Sequence, residues 1–213
     1  DVKAVARAFT GWTIGAKIPR NSYGREPWCF EYKAEDHDGG DKRFLGHRGK
    51  LNGEDIIDVI VGQPACAKFL ARHLYNYFVA DELPVPSWPT KPPQDPEAVG
   101  FLAEILLNSG YEIKQVMRTL LKSEFFKNSL YRKVRSPVEV VVGTLKMTGE
   151  FERPLPGLSR LAAIPGNVGQ SLLDPPTVEG WHTGKEWIDG GALNERVDFA
   201  VREMANSSAP GIQ

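Results

Sequence analysis

The sequence predicts a mainly α-helical fold, an irregular multi-helix bundle with one small antiparallel β-hairpin and long loops rich in proline and glycine. Apolar residues recur every three or four positions through most of the chain, which is the period of an amphipathic helix. Alternation of apolar and polar residues, typical of a half-buried strand, occurs at residues 28–32. We therefore expect one mostly helical domain over residues 1–206 and a loose tail over residues 207–213.

Helix boundaries follow from capping residues and helix breakers. Asn52, followed by two acids, is typical of a helix N-terminus. Pro64, Pro96 and Pro137 each suit the first turn of a helix, and Gly149 suits a helix end. The predicted helices are residues 2–9, a short helix after Asn52, and residues 65–79, 96–108, 113–121, 137–147 and 193–204, with short helical turns at 158–163 and 168–173.

The helix over residues 65–79 is predicted to be a core helix. Its broad apolar stripe consists of Phe69, Leu70, His73, Leu74, Tyr77 and Phe78. Because His73 lies on that stripe, we interpret it as a packing residue. The following connection, residues 84–96, contains six prolines and is expected to be extended and exposed, with Trp88 in its middle.

One hairpin is predicted over residues 28–46. Residues 28–32 alternate as a strand should, and residues 42–46 are expected to return beside them. The acidic segment 35–41 between them has the composition of a turn.

Charge and hydropathy exclude several classes of partner. Lys and Arg number 26 against 27 Asp and Glu, so no overall field attracts nucleic acid or anionic lipid. No apolar run approaches the roughly 18 residues that cross a bilayer, and we expect no membrane span in this chain. No leader precedes Asp1, so any signal peptide has been removed or lies outside this chain. Cys29 and Cys66 could form one disulfide, which the sequence leaves open.

The acidic turn offers a first candidate site. Asp36, His37 and Asp38 could bind a divalent cation or supply an acid and a base. The signal lacks the six-ligand pattern of a calcium loop and the paired histidines of a zinc helix. A polar turn in which Asp38 caps local backbone amides explains the same residues.

A loop over residues 174–188 offers a second candidate site, and we call it the tryptophan loop. Trp181 and Trp187 provide flat apolar faces, with Glu179 and His182 beside them. Such rings stack on sugars or on partner residues when exposed, yet tryptophans in proline-rich loops also fold inward as packing plugs. The sequence leaves both interpretations open.

Motifs for nucleophilic or nucleotide chemistry are absent from the sequence. It contains no Gly-x-Ser-x-Gly elbow, no Walker loop and no Gly-x-Gly-x-x-Gly fingerprint. We expect no cofactor.

Five ordered segments, 6–13, 37–46, 71–78, 135–139 and 175–181, together resemble one bacterial family, the domain of unknown function 1800. Family members are about twice as long, so the chain resembles a C-terminal half, with the missing N-terminal half or another chain as an expected partner. The resemblance implies a mostly helical, usually exported protein, often encoded beside a companion family that resembles sulfatases and alkaline phosphatases. It implies no reaction.

The family motifs fall on His37, Asp38 and Lys42, and on Pro175, Pro176, Gly180 and Trp181. This location, rather than a role, is what the resemblance carries over to this chain. Glu179 and His73 depart from the family pattern, which makes a catalytic role for either less favoured.

These observations favour a periplasmic or secreted module that binds or assembles with surface polysaccharide or an exported partner protein. Its expected binding residues are Trp181, His182, Trp187 and Lys42. One alternative is a hydrolase acting on a glycan or an ester, with His37, Asp38 or Glu179 as acid and base. The other is a structural subunit of a larger envelope complex.

Overall fold

The protein is mainly α-helical, as the sequence predicts. The computed structural model describes residues 1–16, 28–149, 158–178, 180–181 and 183–205. Its mainly α class is confirmed. The helices are α1 (Val2–Ala8), α2 (Gly53–Val61), α3 (Pro64–Phe78), α4 (Pro96–Asn108), α5 (Ile113–Lys122), α6 (Glu124–Lys127), α7 (Pro137–Thr148), α8 (Ile164–Asn167) and α9 (Gly190–Ala205).

The predicted helix ends are made by the expected capping groups. The Asn52 side chain accepts a hydrogen bond from the backbone N–H of Asp55 at 3.0 Å, and the Asp55 carboxylate accepts one from the backbone N–H of Asn52 at 2.8 Å. Ser136 and Glu139 form the same reciprocal box at the start of α7. Gly149, with φ +68°, ends that helix in the left-handed region. Local chemistry therefore sets these boundaries before any tertiary contact forms.

Two hairpins are present in the described part of the chain, and their pairing differs from the prediction. β1 (Trp12–Ala16) pairs antiparallel with β2 (Trp28–Tyr32), and β3 (Lys42–Phe44) pairs antiparallel with β4 (His47–Gly49). The expectation that residues 42–46 return beside residues 28–32 is wrong. The chain reverses at once after Phe44, because Gly46 takes φ +87° in a tight turn.

The main core lies between α3, α4 and α5. Its fully buried residues include Leu102, Leu106, Val116 and Leu120. The buried face of α3 consists of Ala67, Ala71, Arg72 and Tyr75. Two smaller clusters complete the interior, one of Ala8, Phe44 and Ile56, the other of Val141, Leu145 and Phe199.

The predicted core stripe of α3 is therefore out of phase with the buried face. Phe69 is 46% exposed and Tyr77 is 66% exposed, whereas Ala67 and Ala71 are fully buried. Small side chains at the contact let two helix axes approach closely, so α4 packs on the alanines. The larger apolar side chains of α3 are left to line its outer surface.

Several smaller expectations have clear outcomes. Residues 168–173 are not helical, since α8 is followed by a turn in which Gly169 takes φ +97°. Cys29 and Cys66 are both free thiols. No helix in the described ranges is long and apolar enough to cross a membrane. The predicted tail, residues 207–213, lies outside the described residues.

A buried ion pair joins α3 to the proline-rich connection. Arg72 Nη2 lies 2.7 Å from Glu82 Oε2, and the two side chains are 6% and 0% exposed. Arg72 also donates to the carbonyls of Lys91 at 2.9 Å and Pro92 at 3.1 Å. Glu82 Oε1 accepts a hydrogen bond from the backbone N–H of Gln94 at 2.8 Å. The pair thus fixes residues 91–94 against α3.

Replacement of Glu82 by Gln should destabilise the protein by about 3 to 5 kcal/mol, because the buried guanidinium of Arg72 would lose its counter-charge. The free energy of unfolding in urea measures this. Glu124→Gln, which breaks an exposed pair with Lys127, is the matched control and should cost at most about 1 kcal/mol. An equal loss in both variants would contradict the role given to the buried pair.

Candidate functional site

Asp38 of the acidic turn is bound to α1. Its carboxylate accepts from Arg7 Nε at 2.6 Å and from Arg7 Nη2 at 3.1 Å. It also accepts from the Gly40 amide at 2.9 Å, and the Asp38 amide donates to Thr10 Oγ1 at 2.7 Å. Asp38 therefore caps a local amide, as one sequence interpretation expected, and in addition ties the turn to a helix 31 residues earlier.

The neighbouring candidates are held in the same network, which we call the Arg7 latch. His37 Nδ1 lies 2.9 Å from the Thr10 carbonyl, and a carbonyl only accepts, so Nδ1 carries the proton. Lys42 is only 3% exposed, and its ammonium donates to the carbonyls of Asp38 and Gly40. Lys42 thus lies on the inward side of β3, which is unfavourable for the binding role that the sequence suggested.

The latch also sets the ionisation of its carboxylate. Hydrogen bonds from Arg7 and then from the Gly40 amide hold the pKa of Asp38 well below its usual range. No group of three or more His, Cys, Asp or Glu side chains that could hold a metal ion occurs among the described residues, and this includes Asp36, His37 and Asp38. The geometry fits a structural turn.

Acid should remove the stabilisation that the Arg7 latch provides. A carboxyl whose folded pKa is depressed stabilises the fold above its ordinary value of 3.8 and loses that effect as the pH falls toward the folded value. The difference in melting temperature between wild type and Asp38→Asn should therefore be constant from neutral pH to about 5 and shrink below about 4. A difference that grew on acidification would contradict the latch.

The two tryptophans of the tryptophan loop differ in how deeply they are buried. Trp187 is 6% exposed, and its carbonyl accepts from Arg196 Nη2 at 3.1 Å, so its ring is a packing plug. Trp181 is half-buried, and its Nε1 has no hydrogen-bond partner within the described ranges. Glu179 and His182, two of the predicted site residues, lie outside the described residues.

A cavity of about 750 Å³, which we call the Asp81 cleft, receives one end of the tryptophan loop. It is lined by residues 80–84, 94–95 and 183–186, together with Tyr75, Tyr131, Arg132 and Val134. These segments are the end of α3 and its extension, the residue pair before α4, the loop before α7, and a 3-10 turn of the tryptophan loop. Four distant parts of the sequence thus meet at one cleft.

Asp81 joins three of these segments. Its Oδ2 accepts from the Val134 amide at 2.6 Å, its Oδ1 lies 3.5 Å from Lys133 Nζ, and its own amide donates to the Arg132 carbonyl at 3.2 Å. Gly184 has φ +62°, and a Cβ there would lie 3.1 Å from Asp81 Cβ. Only glycine suits both the backbone and the close approach, so the tryptophan loop fits tightly against Asp81.

Tyr131 stands at the rim of the cleft in an unusual conformation. It is 100% exposed, and its backbone has φ +63°, in the left-handed region that residues other than glycine rarely adopt. Such a conformation costs on the order of 1 kcal/mol. The aromatic ring of Tyr131 is thus exposed to solvent at the edge of the Asp81 cleft.

The two predicted sites do not meet in any of the three cavities described. Lys42 lines a depression of about 460 Å³ with Asp41, Arg43, Gly46 and Arg48, whereas residues 183–186 line the Asp81 cleft. Neither of these cavities, nor the third described below, is lined by His37 or Asp38.

Sequence reasoning missed Asp81 and Tyr131. Leu130 and Tyr131, two large residues in the polar connection between α6 and α7, are the available signal. Their exposure and the positive φ of Tyr131 could not be inferred from it.

Residues 1–209 match the model of a protein family described as 'protein of unknown function (DUF1800)'. The chain belongs to the DUF1800 family. This confirms the resemblance drawn from the five sequence segments, and it brings no reaction or ligand with it. No curated protein and no solved structure matches the chain.

Proposed function

We propose that this DUF1800 protein is a binding module that holds a segment of surface polysaccharide in the Asp81 cleft. The observation that carries the proposal is Tyr131, an aromatic ring kept fully exposed at the rim on a strained backbone. Strain of this kind persists where the surrounding structure enforces it, and it concentrates at functional sites. An exposed ring face offers a stacking surface for the apolar face of a sugar.

The polar side chains along the cleft suit the hydroxyl groups of a glycan. A sugar hydroxyl both donates and accepts hydrogen bonds, so its site needs acceptors and donors together. The carboxylates of Asp95 and Glu186 are acceptors, and the side chains of Arg132 and Gln94 supply donors. The cleft therefore has both kinds of group on opposing segments.

Charge favours an uncharged ligand. The two innermost acids are already neutralised, Asp81 by Lys133 and Glu82 by Arg72. The other lining acids, Asp95 and Glu186, are matched in number by Arg132 and Lys185. A site without net charge gains nothing from a strongly ionic ligand, which supports a neutral polysaccharide.

Such a ligand lies outside the cytoplasmic membrane, so the proposal includes a periplasmic or secreted location in the bacterial envelope. The hydrolase alternative stays a prediction. It receives no support from Asp38, since a carboxylate with a lowered pKa does not donate a proton near neutral pH. A structural subunit of an envelope complex also stays a prediction.

Tyr131→Gly should abolish most glycan binding and leave the fold intact. Loss of the stacking ring should weaken affinity by on the order of tenfold. Glycine accepts φ +63° without strain, and the extra freedom of the unfolded chain offsets part of that gain, so stability should change by less than about 1 kcal/mol. Binding to an array of neutral oligosaccharides and thermal unfolding measure the two effects.

Leu173→Gly is the matched control, because Leu173 also has φ +63° and is 95% exposed but does not line the cleft. It should bind oligosaccharides like the wild type. The proposal fails if no oligosaccharide binds, or if both glycine variants bind equally well. Release of new reducing ends from a bound oligosaccharide would instead favour the hydrolase.

A further inference from the structure

A third cavity lies on the outer face of α3, and none of its lining residues lines the Asp81 cleft. It measures about 690 Å³ and runs between α3, the proline-rich connection and the start of α4. We call it the Trp88 groove. Its apolar walls are formed by Phe69, Val85, Trp88, Val99 and the prolines 89, 92, 93 and 96. Phe69, one of the large side chains of α3 that lie outside the core, thus forms part of this groove.

Contacts within the groove hold the Trp88 ring in place. Trp88 Nε1 donates to the Leu83 carbonyl at 2.6 Å, and the Arg72 guanidinium lies 4.5 Å from the centroid of the Trp88 ring. The rings of Phe69 and His73 contact Trp88 at centroid distances of 5.6 Å and 4.5 Å. Because these side chains are already ordered, an occupant would not bear the entropic cost of arranging them.

The charge of the groove has one sign. Lys68 and Lys91 line it, and neither has an ion-pair partner among the described residues. Arg72 also lines it, but its charge is matched by Glu82. No carboxylate from the described part of the chain contributes to the lining. An apolar surface with two unmatched cations therefore complements an apolar group beside an anion.

We propose that the Trp88 groove binds a short segment of a partner protein that presents an aromatic or large aliphatic side chain next to an Asp or Glu. Grooves lined by aromatic and proline side chains are a recurring way to hold extended peptides. A glycan fits less well, since Thr90 is the single uncharged polar side chain that the described residues contribute to the lining. A free fatty acid also fits less well, because Lys68, Phe69 and Val85 are exposed and would leave its chain partly in water.

Gly100 provides a way to close the groove without damaging the fold. It lies inside α4 and lines the groove, and a Cβ at this position would meet no atom within 4 Å. Replacement of an interior helix glycine by alanine or leucine favours the helix. Gly100→Leu should therefore fill the groove while melting at the same or a higher temperature, and Gly100→Ala should leave the groove largely open.

The test begins with selection of peptides from a phage-displayed library of random linear sequences on the intact chain. We expect enriched peptides to share an aromatic or large aliphatic residue adjacent to Asp or Glu. A labelled synthetic copy, followed by fluorescence anisotropy, should bind Gly100→Leu and Lys68→Glu at least about tenfold more weakly than the wild type. Gly100→Ala should retain affinity within about threefold of the wild type.

Three results would overturn the inference: no shared sequence among the selected peptides, equal affinity for wild type and Gly100→Leu, or displacement of the peptide by laurate at equal concentration. Tyr131→Gly separates this site from the glycan site. It should leave peptide affinity unchanged, and a parallel loss of peptide and glycan binding would place both ligands at one site and contradict the groove. Peptide binding without glycan binding would contradict only the proposed function.

Discussion

The buried ion pair between Arg72 and Glu82 is the constraint on which the surrounding structure depends. Two charges removed from water are tolerated only when their polar atoms are nearly all hydrogen bonded. Here the carbonyls of Lys91 and Pro92 and the amide of Gln94 complete that requirement. The first part of the connection between α3 and α4 forms its own backbone hydrogen bonds, including a 3-10 turn at Val85–Ser87, whereas the contacts of Arg72 and Glu82 fix residues 91–94. Residues 91–93 thereby form one wall of the Trp88 groove.

The same pair stands between the two cavities. Arg72 lines the Trp88 groove, and Glu82 lines the Asp81 cleft. One wall therefore serves two sites of opposite character, an apolar groove with unmatched lysines and a polar cleft without net charge. Any occupant that moved residues 91–94 would also disturb the carboxylate at the back of the cleft. The two cavities thus share one set of hydrogen bonds.

Several residues that suggested chemistry in the sequence make structural contacts in the fold. Asp38 pairs with Arg7, Lys42 donates to the carbonyls of Asp38 and Gly40, and Trp187 is a buried plug whose carbonyl accepts from Arg196. In each case the partner is distant in sequence or is a backbone carbonyl, and neither kind of partner is visible in a local pattern. For Asp81 and Tyr131 the opposite holds: the sequence did not suggest a role, and the structure places both at a cleft. They carry no motif, and their place at a cleft results from four segments that meet only in the folded chain.

The sequence by itself determined most of the helices, and the starts of α2 and α7 in particular, because caps such as Asn52 and Ser136 act over three or four residues and need no tertiary partner. It also determined the family, through five ordered segments that the match over residues 1–209 confirms. Only the tertiary structure decided the buried face of α3, the pairing of the strands and the composition of both cavities. Each of these depends on close approach between segments far apart in sequence: alanines that admit α4, an immediate turn at Gly46, and Gly184 against Asp81. Hydrophobic period alone does not encode such distances.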